Sequence, residues 1–173
     1  MKELIINGSP RKGNTLTAVN ILASGGGEII DAGSLDIKPC VACDGCKKNG
    51  GVCVFKDDSV EVTEKILEAD KIIFATPVYW WSTTAQLKLV IDKLYQKSEI
   101  LKDAPSKKIG LVVIGEAGLD DPEYRIIKEQ MGCICGHLGW ELAFAENISA
   151  GNVGDLAADK KECAKLEKIR KEF

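Results

Sequence analysis

Four cysteines crowd into fourteen residues of this chain, Cys40, Cys43, Cys46 and Cys53, in the pattern C-x2-C-x2-C-x6-C. Thiolates at such tight spacing suit three states. A short loop of this kind can wrap a [4Fe–4S] cluster. It can hold a structural zinc, although zinc more often sits between two separated C-x2-C knuckles. It can also carry free thiols with no metal. Upstream, Gly8-Ser-Pro-Arg-Lys-Gly-Asn-Thr15 follows the apolar run Leu4-Ile5-Ile6 and precedes a helical pattern. A strand, a small-residue loop and a helix start make an anion site, because backbone N–H groups converge there and the helix adds partial positive charge. Ser9, Asn14 and Thr15 bring side-chain donors and Arg11 a fixed cation. Further on, Tyr79-Trp80-Trp81 places three adjacent aromatics in a predicted loop, where a flat heteroaromatic ring could stack.

The expected anion is a phosphate. The loop approaches the P-loop pattern G-x-x-x-x-G-K-[ST] through Gly8, Gly13 and Thr15, but Asn14 stands where that pattern has lysine. The dinucleotide fingerprint G-x-G-x-x-G is absent. A single terminal phosphate on a mononucleotide fits better than a triphosphate.

The elements that must position these residues follow from hydrophobic periodicity. Strands are predicted at Glu3–Asn7, Glu28–Ala32, Lys71–Thr76, Lys108–Ile114 and Leu142–Ile148. Ile72-Ile73-Phe74-Ala75 and Ile109 to Ile114 are continuous runs, as expected of parallel strands covered on both faces. Helices are predicted at Thr15–Ser24, Ser59–Ala69 with Asp58 as N-cap, Thr84–Tyr95, Pro122–His137 and Asp155–Lys171. Asp121, Pro122 and Gly139 suit the two ends of the fourth helix.

This alternation predicts an α/β fold, a flavodoxin-like three-layer sandwich around a five-stranded parallel sheet of order 2-1-3-4-5. Ligands of such sheets lie at the carboxyl ends of the strands, at the switch point between the first and third. That rule nominates the loops Gly8–Thr15, Pro77–Thr84 and Gly115–Asp121. The expected organisation is one mononucleotide-binding domain over residues 1–173, with a cysteine-rich loop at 38–58.

Composition excludes other classes. With 23 basic against 26 acidic residues, net charge −3, the chain is not expected to bind nucleic acid. No apolar run reaches membrane-spanning length and no signal-peptide pattern opens the chain, so it reads as cytoplasmic. A cytoplasmic setting and an odd number of cysteines, seven, argue against a disulfide framework. Cys133 and Cys135 should point to opposite faces of a helix, Cys163 should pack, and His137 should serve a helix end or the surface.

The phosphate loop, Lys38-Pro39-Cys40-x-x-Cys43-x-x-Cys46, Cys53 before Asp57-Asp58, Thr76-Pro77-Val78-Tyr79-Trp80-Trp81 and Gln86-Leu87-Lys88-x-x-Ile91-Asp92-Lys93 together resemble the NADPH-dependent FMN reductase and iron–sulfur flavoprotein family. The motifs run from residue 4 to about 95 in the family's order. Lys93 departs from the arginine usual there.

The resemblance implies FMN as cofactor, with NAD(P)H as reductant. Ser9, Arg11, Asn14, Thr15 and Leu16 would meet the phosphate. Pro77, Val78, Tyr79, Trp80, Trp81 and Ser82 would lie along the isoalloxazine ring, and Gly115, Glu116, Ala117 and Gly118 would close a third side. The flavin carries the chemistry, so no catalytic side chain is expected. Iron–sulfur flavoproteins of this family use the compact cysteine arrangement for [4Fe–4S]. In such a protein Lys47 and Lys48 would neighbour the cluster. The implied function is an NAD(P)H-dependent flavin- or quinone-type reductase. The alternative is an electron carrier with FMN and cluster, fed by ferredoxin. Partners would be small-molecule donors and acceptors, in a homodimer or homotetramer.

Overall fold

A computed structural model describes residues 1–173. Its sheet has five parallel strands, β1 (Glu3–Asn7), β2 (Glu28–Asp31), β3 (Lys71–Pro77), β4 (Lys108–Gly115) and β5 (Glu141–Ser149), in the order β2-β1-β3-β4-β5. That is the flavodoxin-like order. In the register, Asn7 pairs with Ala75, Pro77 with Ile114 and Gly115 with Ser149, so the carboxyl ends of these strands lie side by side, with β3 and β4 running two to three residues past β1. The expected strands appear within one or two residues of their predicted bounds.

The two faces of the sheet explain the continuous apolar runs. Ile72 and Phe74 of β3 and Ile109, Leu111 and Val113 of β4 enter one core, while Ile73, Ala75, Val112 and Ile114 enter the other. Helices cover both faces: α1 (Asn14–Ala23), α2 (Gly45–Lys48), α3 (Ser59–Glu68), α4 (Ala85–Lys93), α5 (Ser98–Asp103), α6 (Pro122–Leu138), α7 (Asp155–Ala158) and α8 (Lys160–Glu172). Each fully buried Leu, Ile or Phe contributes about 1.5–3 kcal/mol relative to exposure, which anchors the sheet beneath the loops at its carboxyl ends. No helix is long and apolar enough to cross a membrane.

Three local expectations need correction. Asp58 does not cap α3. Its carboxylate accepts from the Asp36 N–H at 2.7 Å, and Asp57 accepts from the Ser59 N–H at 3.1 Å instead. The single helix expected over 155–171 is two, because Asp159 leaves the helical region and caps α8 by accepting from the Lys161 and Glu162 N–H groups. The helix expected to reach Tyr95 tightens into a 3₁₀ turn over 94–97 before α5. Asp121 and Gly139 terminate α6 as expected, the latter at φ 70°.

Candidate functional site

A cleft opens where β1, β3, β4 and β5 end. Ser9, Arg11, Asn14, Thr15, Pro77, Val78, Tyr79, Gly115 and Glu116 line it, together with Gly13, Ile114, Ala150 and Gly151. Nine of the expected residues therefore converge. Trp80, Trp81, Ser82, Ala117 and Gly118 lie in the same loops, and Leu16 in the first turn of α1, without lining that cleft.

The first wall is the loop before α1. Asn7 sets its course, donating to Asp31 at 2.7 Å and accepting from the Ser9 N–H at 3.1 Å. The Ser9 hydroxyl donates to the Arg11 carbonyl and accepts from the Arg11 N–H, so it shapes the turn. Gly8 lies so close to β3 and α4 that a Cβ would sit 3.0 Å from the Ala75 carbonyl and from Leu87. The next five N–H groups, Lys12 to Leu16, donate to no protein acceptor, although Asn14 and Thr15 are buried. Unpaired N–H groups under a helix start form an anion cradle. Arg11 lines the cleft beside them and forms no ion pair. These features fit a phosphate monoester.

Asn14 differs from its expected use. Its amide nitrogen donates to the carbonyls of Ala150 (3.1 Å) and Asn152 (2.8 Å), and its oxygen accepts from the N–H groups of Gly154 (3.1 Å) and Leu156 (3.3 Å). The side chain is a four-bond clamp onto the loop after β5, and only its backbone N–H faces the cradle. That fourth loop, with Ala150 and Gly151 in the cleft, escaped the sequence reading. Its one signal was the small Ala-Gly pair directly after the last strand.

The second wall is a two-residue hairpin. Tyr79 and Ser82 exchange backbone hydrogen bonds of 3.0 and 3.1 Å around Trp80 (φ 48°) and Trp81 (φ 57°). Both central residues are left-handed, the geometry that favours Asn-Gly, and each non-glycine there costs about 1–2 kcal/mol. Trp80 is nonetheless 88% exposed and its ring centroid lies 5.9 Å from that of Trp81. Backbone strain that presents aromatic surface to solvent is characteristic of ligand loops. Buried Thr84 joins the two walls. Its hydroxyl donates to the Gly8 carbonyl at 2.6 Å and accepts from the Leu87 N–H, capping α4.

The third wall follows β4. The Tyr124 hydroxyl donates to the carbonyls of Ala117 (3.0 Å) and Ile148 (3.3 Å), holding the 115–118 loop against β5. Glu123 packs beneath Gly115, where a Cβ would overlap its carboxyl. Burial pushes the Glu123 carboxyl up, and Asp121 and Glu116 add to the effect.

The cysteine loop forms a separate pocket. Cys40, Cys43, Cys46 and Cys53 all line it, with Phe55, Lys93, Tyr95 and Gln96. All four are free thiols, and no three Cys, His, Asp or Glu side chains are drawn together as a metal-ligand set. The loop is bolted to residues 93–98. Gln96 accepts from the Cys53 N–H at 2.8 Å, Tyr95 donates to Asp44 at 2.7 Å and Lys47 donates to Ser98 at 2.8 Å. Lys47 also lies 4.4 Å over the Tyr95 ring, so it clamps the loop. Lys48 is exposed. The buried cation beside the thiols is Lys93, 3.2 Å from Cys53 Sγ and 3.0 Å from Asp57. Burial works against ionisation of Asp57, but hydrogen bonds from Ser59, the Lys38 N–H and Lys93 hold its pKa at about 2. Burial likewise opposes the Lys93 charge, and Asp57 and Cys53 outweigh it, leaving the ammonium pKa raised.

The remaining thiols behave as expected. Cys133 is exposed, Cys135 is buried, and Cys163 packs at the edge of a core with its Sγ 3.2 Å from the Leu156 carbonyl. His137 is exposed near the end of α6 and does not line the cleft.

The sequence profile described as NADPH-dependent FMN reductase matches residues 1–127. An iron-sulfur flavoprotein of Archaeoglobus fulgidus is 42% identical over 99 residues, 54% of this chain and 48% of that protein. The chain spans about half the length of the curated relatives it matches at this level. An iron-sulfur flavoprotein of Methanosarcina thermophila is 31% identical over 194 residues, covering 99% of this chain and 98% of that one. In architecture, the chain is similar to the Trp repressor binding protein from Bacillus subtilis, with TM-score 0.73, 20% identity and 97% of each chain covered.

Proposed function

We infer what this chain does from the premise that it belongs to the NADPH-dependent FMN reductase family. On that premise residues 1–173 form one FMN-binding unit that acts as an NAD(P)H-dependent oxidoreductase. The observation that carries the reading is the cleft, which sets Arg11, without an ion pair, and the unpaired N–H groups of the cradle beside Tyr79, at the base of an exposed aromatic hairpin. Bound FMN would supply the chemistry by accepting a hydride at N5 and passing electrons to a small-molecule acceptor.

The residues divide the remaining work. The N–H groups of Lys12 to Leu16, the Thr15 hydroxyl and Arg11 hold the phosphate, and Ser9 shapes their loop. Pro77, Val78 and Tyr79, with the Trp80-Trp81-Ser82 turn, lie along the ring. Gly115, Glu116, Ala117 and Gly118 close the third side, braced by Tyr124. The exposed hairpin would leave a bound ring accessible to a nicotinamide.

The four cysteines fit a [4Fe–4S] cluster by donor chemistry. Four sulfurs line one pocket on an anchored loop, and their only side-chain partner is Lys93 at Cys53. The names of the relatives point the same way. Cys40, Cys43, Cys46 and Cys53 would hold such a cluster, which would supply one-electron storage.

Purification without oxygen followed by rapid mixing with NADPH or NADH tests the reading. The expected result is bleaching of the flavin's visible absorption. A flavin that neither nucleotide bleaches would overturn the reductase reading and leave an electron carrier fed by another protein.

A further inference from the structure

The cysteine pocket has one cationic side chain in its lining, and that residue is almost fully buried. Lys93 is 3% exposed and its partner Asp57 is 2% exposed at the side chain. The two carboxylates that also line or approach the pocket have other partners, Asp92 on Lys88 and Asp44 on Tyr95. Asp57 is further saturated by the Ser59 and Lys38 N–H groups. The ammonium is therefore held in contact with both a carboxylate, at 3.0 Å, and the Cys53 sulfur, at 3.2 Å. A bare structural role would not require the sulfur contact, since Gln96 already anchors Cys53 through its backbone.

We propose that the Lys93–Asp57 pair sets the reduction potential of the redox centre held by the four cysteines, with Lys93 favouring the reduced state through Cys53. This rests on the cluster reading of the cysteine loop. Reduction of such a centre adds one electron and no proton, so net negative charge accumulates on the cluster and its thiolates. Hydrogen bonds to the sulfurs and nearby positive charge favour that charge and raise the potential. Asp57 opposes Lys93 electrostatically while holding it in place, so the two residues act with opposite sign.

The opposition gives a signature that a purely structural pair lacks. The chain is reconstituted without oxygen using ferrous iron and sulfide, analysed for iron and sulfide content, and titrated with dithionite while the reduced centre is followed by electron paramagnetic resonance. Lys93→Met should shift the midpoint to more negative potential, and Asp57→Asn to more positive. Lys93→Arg, which keeps the charge, should stay near wild type. The double variant Lys93→Met/Asp57→Asn buries no unpaired charge and should still lie below wild type. A wild-type chain that takes up no iron and sulfide overturns the cluster reading itself. A loaded wild type whose two single variants shift in the same direction, or not at all, overturns the role of Lys93 alone.

Discussion

Changing Asn14 to Asp alters one atom and separates two roles for this residue. If the side chain bound phosphate directly, the change would harm ligand binding and spare the empty protein. In the arrangement described here it harms the empty protein first. The Nδ2 group donates to the Ala150 and Asn152 carbonyls at 3.1 and 2.8 Å. Removing both bonds costs about 1 kcal/mol each. A carboxylate oxygen facing two carbonyls adds about 1–2 kcal/mol of unmet polar demand. Stronger acceptance from the Gly154 and Leu156 N–H groups returns about 1 kcal/mol. The net loss is about 2–3 kcal/mol, and at about 2–4 °C per kcal/mol for a domain of this size the Tm falls by about 4–12 °C. Differential scanning calorimetry of FMN-free protein reads this directly. An Asn14→Asp apoprotein melting within about 1 °C of wild type, with FMN affinity lost, would refute the clamp and restore a direct phosphate contact.

Other consequences follow from the hairpin and from the buried acid. Trp81→Gly relieves a left-handed tryptophan, so the apoprotein should gain about 1 kcal/mol in denaturant unfolding while FMN affinity falls. Trp80→Ala and Tyr79→Ala should weaken flavin retention, and unchanged affinity in both would remove the hairpin from the site. Asp57 titrates at about 2 folded against 3.8 unfolded. Because the folded value is the lower, its stabilisation is present above pH 3.8 and is lost as pH falls toward 2. That difference corresponds to about 2 kcal/mol. Asp57→Asn should flatten this acid limb in pH-dependent unfolding.

What could be read from the sequence follows from how local each determinant is. The continuous apolar runs of β3 and β4 announce a doubly covered sheet, because each residue's burial is set by strand alternation alone. The phosphate loop, aromatic triplet and cysteine spacing are likewise contiguous. Asn14 was placed correctly but its partners were not, since they lie about 140 residues away in a loop without a motif. Asp57 and Asp58 are adjacent acids, and only the approach of Asp36 and Lys93 decides which one caps α3. Lys93 carried a usable signal. It sits among Val90, Ile91 and Leu94 on a helix that is otherwise apolar on that side, and a charge there calls for a buried partner. Lys47 and Lys48 drew attention by proximity to the thiols, whereas the cation in contact comes from a helix 40 residues on.

The claim at the centre of this account is that the Lys12–Leu16 cradle and Arg11 hold a flavin by its phosphate. Titrating the apoprotein with FMN and with riboflavin, which differ only in that group, measures it directly through quenching of flavin fluorescence. The account predicts one FMN per chain, riboflavin binding weaker by at least about a hundredfold, and loss of part of that difference in Arg11→Ala, where the backbone cradle remains, since several charge-assisted hydrogen bonds of about 1.5–3 kcal/mol each are at stake. Equal affinity for the two flavins, or no binding of either, would contradict it.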